Sequence, residues 1–186
     1  HCLALDWRKA FDSISPAALL QSLRMFGLPQ HFVDMISAIY ADRKFHVREC
    51  GVISDAHWQN YGICQGCPLS PFLFGIVMTI LLGKATSTLG PDATRALQTH
   101  QLYDILYADD TIIIGSSADH VGEFARAIEK AGAEFGMTLH WGKTQALSIC
   151  STTALRSPSG DVVADAGSIG YLGATAADGK SCSEVS

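Results

Sequence analysis

Three aspartates stand at places where the chain has reason to stop or turn: Asp6 after the apolar run at residues 2–5, and Asp109 and Asp110 between strand-like runs at 102–107 and 111–115. Pairing those strands side by side would gather three carboxylates, whose like charges repel. A divalent cation removes that penalty. Mg²⁺ prefers hard oxygen ligands, takes one or two protein carboxylates, and completes its shell with water and substrate phosphate. Two such ions, roughly 3.5–4 Å apart, can activate an attacking oxygen and stabilise a leaving one in phosphoryl transfer. The chemistry this set of residues points to is therefore nucleotidyl transfer. The Asp109–Asp110 pair alone has a plainer reading, because Asp is favoured in turns for its local hydrogen bonds.

The elements that must position these residues follow from hydrophobic period and punctuation. With 186 residues and 48% hydrophobic content, the chain can bury one sizeable core, and a single domain is expected. Residues 2–5 read as a short buried strand. Ser15 and Pro16 offer an N-cap and a first-turn proline for a helix that carries Leu19, Leu20, Leu23 and Phe26 and stops at Gly27. A second helix starts near Pro29, with Phe32, Met35, Ile36 and Ile39 expected on one buried face. Residues 45–50 and 56–63 read as a hairpin around the turn-prone stretch 51–55. Ser70 and Pro71 open a strongly apolar core helix running to about Leu89, and residues 90–100 read as a loop. Asp119 can cap a further helix through Val121, Phe124, Ala125, Ile128 and Phe135, ending at Gly136, and residues 145–150 read as a strand. Helices set between hairpins in this order predict an α+β fold, an antiparallel sheet covered on one face by helices. The polar stretch from Thr175 to the end is expected to be disordered, which leaves a domain of residues 1–174 and a tail of 175–186.

Charge and cysteine usage bound the partners. Lys and Arg number 13 against 18 Asp and Glu, a net charge of −5, the wrong sign for a stand-alone nucleic-acid binder. Carboxylates concentrated where cations will sit, and basic surfaces in other parts of a longer protein, would reconcile that sign with a nucleic-acid substrate. Six cysteines without a framework of short spacings read as reduced thiols in a cytosolic or nuclear, not secreted, protein. Cys64 and Cys67 lack the second pair that zinc would need. The longest apolar stretch, near residues 72–82, is shorter than the roughly 20 residues a membrane span needs, so no membrane partner is expected. The opening HCLALDW reads as starting inside an element, with more chain expected upstream.

Five segments carry a resemblance when taken in order: LALDWRKAFDSIS at 3–15, QGCPLSPFLF at 65–74, YADD at 107–110, GMTLHWGKTQ at 136–145 and YLGA at 171–174. Together they resemble motifs A to E of reverse transcriptases, in spellings similar to the non-LTR retrotransposon enzymes and, less closely, to those of group II introns. YADD alone is weak; its combination with AFDSI and QGCPLSP is specific. The resemblance implies a polymerase palm that performs RNA-templated DNA synthesis, with an RNA template, a DNA primer and deoxynucleoside triphosphates as partners and two Mg²⁺ ions, for which Mn²⁺ can substitute. It implies that Asp6, Asp109 and Asp110 hold the metals, and that Lys143 assists the leaving pyrophosphate. Phe11 would block a ribose 2′-OH, Ala10 would leave room for the nucleotide, and Gln65 and Gly66 would lie against nucleotide and template. Tyr171, Leu172 and Gly173 would grip the primer. Asp12, beside Phe11, reads as structural rather than a metal ligand. Related elements often carry a basic residue where Cys64 stands, which removes one expected contact. The family's fingers would lie upstream of these residues, so the isolated chain is expected to be inactive. A non-catalytic remnant of a decayed element, serving at most as an interaction module, is the alternative, and other palm enzymes would predict a different turn from YADD.

Overall fold

The computed structural model describes residues 1–177. The chain opens with strand β1 (Cys2–Leu5) and a single helical turn α1 (Ala10–Ser13), then helices α2 (Pro16–Phe26) and α3 (Gln30–Tyr40). The α2 boundaries are those expected from its residues: the Ser15 side chain accepts from the Ala18 N–H, Pro16 occupies the first turn, and Gly27 closes the helix at φ 93°. Four two-residue strands follow, β2 (Lys44–Phe45), β3 (Arg48–Glu49), β4 (Val52–Ile53) and β5 (His57–Trp58). Then come α4 (Ser70–Ser87), α5 (Pro91–Gln98), the hairpin β6 (Leu102–Tyr107) and β7 (Asp110–Gly115), α6 (Ala118–Glu134), β8 (Gln145–Leu147), and a last hairpin, β9 (Ser168–Tyr171) and β10 (Ala174–Ala177).

The central sheet has the order β6-β7-β1-β8, and its pairs are antiparallel. Its two faces differ. Leu3, Leu5, Leu102 and Ile113 face a large core built with α2, α4 and α6, in which Leu23, Phe74, Leu81, Phe124 and Ile128 are fully enclosed. Each such side chain contributes roughly 1.5–3 kcal/mol by leaving water. On the opposite face a small cluster of Ile112, Leu147 and Ile169, with Cys2, Ala4, Ile114 and Tyr171 against it, fixes the C-terminal hairpin to the sheet. The expected α+β class, with helices on one face, is the observed one. The place of α4 between α2 and α6 accounts for its buried Leu73, Phe74, Val77, Met78 and Leu81, whereas Phe72 near its start is 72% exposed.

Four local expectations need correction. In α3 the buried side chains are Val33, Ile36 and Tyr40, whereas Phe32, Met35 and Ile39 are about half exposed. The helix carries two apolar stripes, and periodicity alone does not say which one meets the core. Residues 90–100, expected as loop, hold the eight-residue α5, which starts at Pro91 and buries Ala93 and Ala96; a short and mostly polar run conceals an amphipathic helix. The first hairpin turns at Cys50 and Gly51, with φ 48° and 82°, so Glu49 pairs directly with Val52. Positive φ at both turn residues is the tight two-residue geometry that matches strand twist. Finally, residues 175–177, expected to be disordered, pair with β9 across a similar turn at Leu172 and Gly173; the rest of the expected tail lies outside the described residues.

Candidate active site

The register of β1 against β7 decides where two of the aspartates meet. Cys2 stands opposite Ile114 and Leu5 opposite Thr111, so one further step of the same register sets Asp6 opposite Asp110. Both share strand parity with Cys2, Ala4, Ile112 and Ile114, which places their side chains on the sheet face away from the helices. There they line one cavity of about 590 Å³ with Lys143, Thr144, Gln145 and Gly170. The loop carrying Lys143 is tied to the same point: the His140 N–H donates to the Asp6 carbonyl at 2.7 Å, and the Lys143 N–H donates to the His140 carbonyl at 2.8 Å.

Asp109 is placed differently. It is an exposed turn residue after Ala108, whose φ of 52° strains a non-glycine residue, and it does not line the Asp6 cavity. Among the described residues, no three His, Cys, Asp or Glu side chains are gathered closely enough to hold a metal ion. The structure therefore brings Asp6 and Asp110 together and leaves Asp109 apart. Within the described residues the one ion pair is Lys84 with Glu134 at 2.7 Å, so no cationic side chain neutralises these aspartates at ion-pair distance. Two uncompensated carboxylates beside an open cavity are a donor set that suits a hard divalent cation.

A second cavity, of about 510 Å³, is lined by Phe11, Gln65, Gly66, Cys67, Pro68, Ser70 and Pro71. The Phe11 ring is stacked on Phe74, with centroids 4.2 Å apart and planes 13° from parallel, so the core fixes its orientation. Gln65 donates from Nε2 to Oδ1 of Asp12 at 3.1 Å, which ties the Gln65 loop to α1. Gly66 has φ 83° and no atom within 4 Å of the place a Cβ would take, so its requirement is conformational rather than spatial. Ala10 is buried in the main core and does not line this cavity. The backbone that carries Gln65 is stitched to α1: Gly62 N–H donates to the Ile14 carbonyl at 2.8 Å, and Ile63 N–H to the Phe11 carbonyl at 2.7 Å.

The C-terminal hairpin reaches the YADD turn through Tyr171, whose hydroxyl donates to the carbonyls of Asp110 at 3.3 Å and Ile105 at 3.5 Å. Burial pushes the Tyr171 hydroxyl above the ordinary tyrosine range, and the Asp110 carboxylate adds to the shift. Leu172 and Gly173 form the exposed turn and do not line the Asp6 cavity.

These residues and their order match one family along nearly the whole chain: the family model described as reverse transcriptase (RNA-dependent DNA polymerase) matches residues 1–176. The chain belongs to the reverse transcriptase family. Among its relatives, the retrovirus-related Pol polyprotein from type-2 retrotransposable element R2DM of Drosophila melanogaster is 34% identical over 113 residues, which is 61% of this chain and 10% of that protein. The Pol polyprotein from type-1 retrotransposable element R2 of Popillia japonica is 28% identical over 162 residues, 85% of this chain and 26% of that protein. These are the non-LTR relatives that the motif spellings led one to expect, and the reverse transcriptase chain spans only about a tenth to a quarter of their length. In fold it is similar to apo telomerase from Candida tropicalis truncated from its C-terminal domain, with a TM-score of 0.63, 14% identity, and coverage of 94% of this chain and 33% of that one.

Sequence reasoning missed three residues that border the candidate site. Arg8, Lys9 and His140 line a cavity of about 450 Å³ on which Asp6, Asp12 and Lys143 also border. His140 Nδ1 is buried there without a hydrogen-bond partner among the described residues. Two adjacent cations in a turn and a lone histidine in a loop carry no periodic signal, and only the fold brings them together. Gly62 was missed too, and its close approach to Asp12 is visible only in three dimensions.

Proposed function

We propose that this chain is the catalytic palm of an RNA-templated DNA polymerase, which adds deoxynucleotides to a primer 3′-OH. The observation that carries this reading is the register that sets Asp6 opposite Asp110 in one cavity beside Lys143, while a separate cavity gathers Phe11, Gln65 and Gly66. Asp6 and Asp110 would hold divalent cations, Mg²⁺ being the natural choice for oxygen donors, and Asp109 would add a third carboxylate from the adjoining turn. Such ions, when bound, activate the primer oxygen and stabilise the leaving one.

The protein's own groups do the rest. Phe11, held by its stack on Phe74, presents a rigid edge that collides with a ribose 2′-OH and admits a deoxyribose. Gln65 offers an amide to the nucleotide or its template partner, and Asp12 keeps it in position. Lys143 neutralises charge on the departing pyrophosphate or delivers a proton to it. Tyr171, Leu172 and Gly173, on a hairpin bonded to the Asp110 carbonyl, would hold the primer end against the carboxylates. RNA template, DNA primer and deoxynucleoside triphosphates are the partners this arrangement accommodates.

Primer extension tests the proposal. A longer protein containing this chain is expected to extend a DNA primer on an RNA template in Mg²⁺, to lose extension in Asp6→Asn and Asp110→Asn, and to incorporate ribonucleotides once Phe11 is changed to Ala. The isolated 186-residue chain is expected to give no extension. Extension that survives both aspartate changes would remove the basis of the reading.

A further inference from the structure

Cys64 and Cys67 are the one close pair among the six cysteines, and the residues between them are Gln65 and Gly66, which line the Phe11 cavity. Among the described residues no group of three His, Cys, Asp or Glu side chains could hold a metal ion, so the pair is not part of a metal site there. Both thiols are free, and the carboxylate chemistry uses neither.

The backbone brings the pair within bonding reach. Gln65 and Gly66 are the central residues of a tight turn, and Gly66 has φ 83°, the value that the third residue of a type II turn takes. Such a turn sets the Cα atoms of its first and fourth residues, here Cys64 and Cys67, less than about 7 Å apart; a disulfide needs roughly 4.4–6.8 Å. A single residue outside the turn shows the same closeness. Buried Ser70 donates from its hydroxyl to the Cys64 carbonyl and from its backbone N–H, at 3.0 Å, to the Cys67 carbonyl. The Tyr40 hydroxyl accepts from the Cys64 N–H at 3.4 Å, so the first arm of the turn is also held from α3.

The two thiols differ in access. Cys64 is exposed, whereas Cys67 is partly buried and lines the Phe11 cavity. That asymmetry suits stepwise exchange, in which the exposed thiol meets an external disulfide and its neighbour resolves the product.

We propose that Cys64 and Cys67 form a reversible disulfide across the turn that carries Gln65 and Gly66, made by exchange with a low-molecular-weight disulfide, and that this link alters the Phe11 cavity. The Cys64 thiolate attacks one sulfur of a molecule such as glutathione disulfide, whose S–S bond breaks as one thiol leaves. The Cys67 thiolate then attacks the Cys64 sulfur, the Cys64–Cys67 bond forms, and the second thiol leaves. The pair loses two electrons and two protons, which the two released thiols carry; a reducing dithiol reverses both steps. Closing the link draws the Cys67 sulfur from the cavity wall towards Cys64 and fixes the backbone of Gln65 and Gly66 between bridged residues. A nucleotide entering that cavity then meets a changed wall and a Gln65 amide less free to turn towards it. This effect rests on the polymerase reading of the cavity; the disulfide itself does not.

To test it, the 186-residue chain is equilibrated in buffers of glutathione and glutathione disulfide, both folded and in enough urea to unfold it, and remaining thiols are trapped by alkylation. Chymotrypsin cutting after Tyr61 and Phe72 releases residues 62–72, which hold Cys64 and Cys67 and no other cysteine. The mass of that peptide shows whether it is linked, alkylated or joined to glutathione. The linked form should be favoured in the folded chain by roughly tenfold over the unfolded one, a reduction potential about 30 mV lower. A linking constant no larger in the folded chain would overturn the proposal, as would glutathione retained on Cys64, or chains cross-linked through Cys64, in place of the internal bond. In a longer protein containing this chain, oxidation should raise the KM for deoxynucleotide in primer extension roughly two- to tenfold, the worth of one neutral hydrogen bond, and dithiothreitol should restore it. Cys64→Ser changes an exposed side chain, so it should leave the circular dichroism spectrum unaltered and hold its KM through the same treatment. An unchanged KM in fully linked protein would overturn the effect on the cavity. No extension under reducing conditions, with the linked peptide still formed, would remove the polymerase reading and leave the disulfide site standing.

Discussion

Substituting Gly62 by alanine tests whether the segment carrying Gln65 is held to α1 by backbone contact. Gly62 has φ 88°, and a Cβ built there lies 2.8 Å from the Asp12 Cα and 3.0 Å from its carbonyl oxygen. No rotamer change relieves a clash with backbone. Gly66, four residues on, has φ 83° and nothing within 4 Å of its Cβ position, so it carries the conformational penalty without the collision. Left-handed backbone costs an L-residue roughly 1–2 kcal/mol. Overpacking against fixed atoms adds about 1–3 kcal/mol. Gly66→Ala is thus expected to cost about 1–2 kcal/mol and Gly62→Ala about 2–5 kcal/mol. With a urea m-value of about 2 kcal/mol/M, the two midpoints should fall by roughly 0.5–1 M and 1–2.5 M respectively. Urea unfolding followed by circular dichroism measures both. Equal losses at the two glycines, within about 0.5 kcal/mol, would show that the approach to Asp12 adds nothing and would refute the reasoning.

Other expectations follow from individual side chains. Tyr171→Phe removes a hydroxyl that donates to the Asp110 and Ile105 carbonyls, and should cost about 0.5–1.5 kcal/mol in urea unfolding; no loss would mean the hairpin is held by Ile169 alone. Because the Tyr171 pKa is raised by burial and then by Asp110, its contribution is complete below the unfolded tyrosine pKa and is lost as pH rises through the folded value. Ultraviolet titration of Asp110→Asn should therefore show the Tyr171 transition move down, and an unmoved transition would remove Asp110 as a cause. Asp104 shares the helix-facing side of β6 with Leu102 and Leu106, and burial raises its carboxyl above the ordinary range, against its own backbone hydrogen bond. Its neutral form is the favoured one, so stability is lost as pH rises through the folded pKa. Asp104→Asn should raise the melting temperature at neutral pH and do so less in acid; an equal gain at both would exclude ionisation as the reason.

Much of this site was legible because chain-local signals and strand geometry agree. The apolar run before Asp6 and the paired runs around Asp109 and Asp110 predict a hairpin next to β1, and the observed register sets Asp6 opposite Asp110. Which aspartate of the pair shares the cavity with Asp6 was not legible, because it depends on a single step of strand parity at the turn. The buried stripe of α3 was misread for a related reason: Phe32, Met35 and Ile39 are as apolar as Val33, Ile36 and Tyr40, and the packing of α2 chooses between them. The pairing of residues 174–177 with β9 escaped notice because Ala and Thr in a polar stretch give no alternation, and the strand is defined by its partner. Arg8, Lys9 and His140 converge through the bond between the His140 N–H and the Asp6 carbonyl, a contact across most of the chain that leaves no trace in local spacing.

The central claim, that Asp6 and Asp110 form a cation site at the heart of the chain, is tested most directly by Mn²⁺ binding followed through water-proton relaxation. The folded chain is expected to bind Mn²⁺, and Asp6→Asn and Asp110→Asn are each expected to abolish that binding while leaving the circular dichroism spectrum unchanged. Binding by the parent chain that both variants retain, or no binding by a folded parent, would contradict the account.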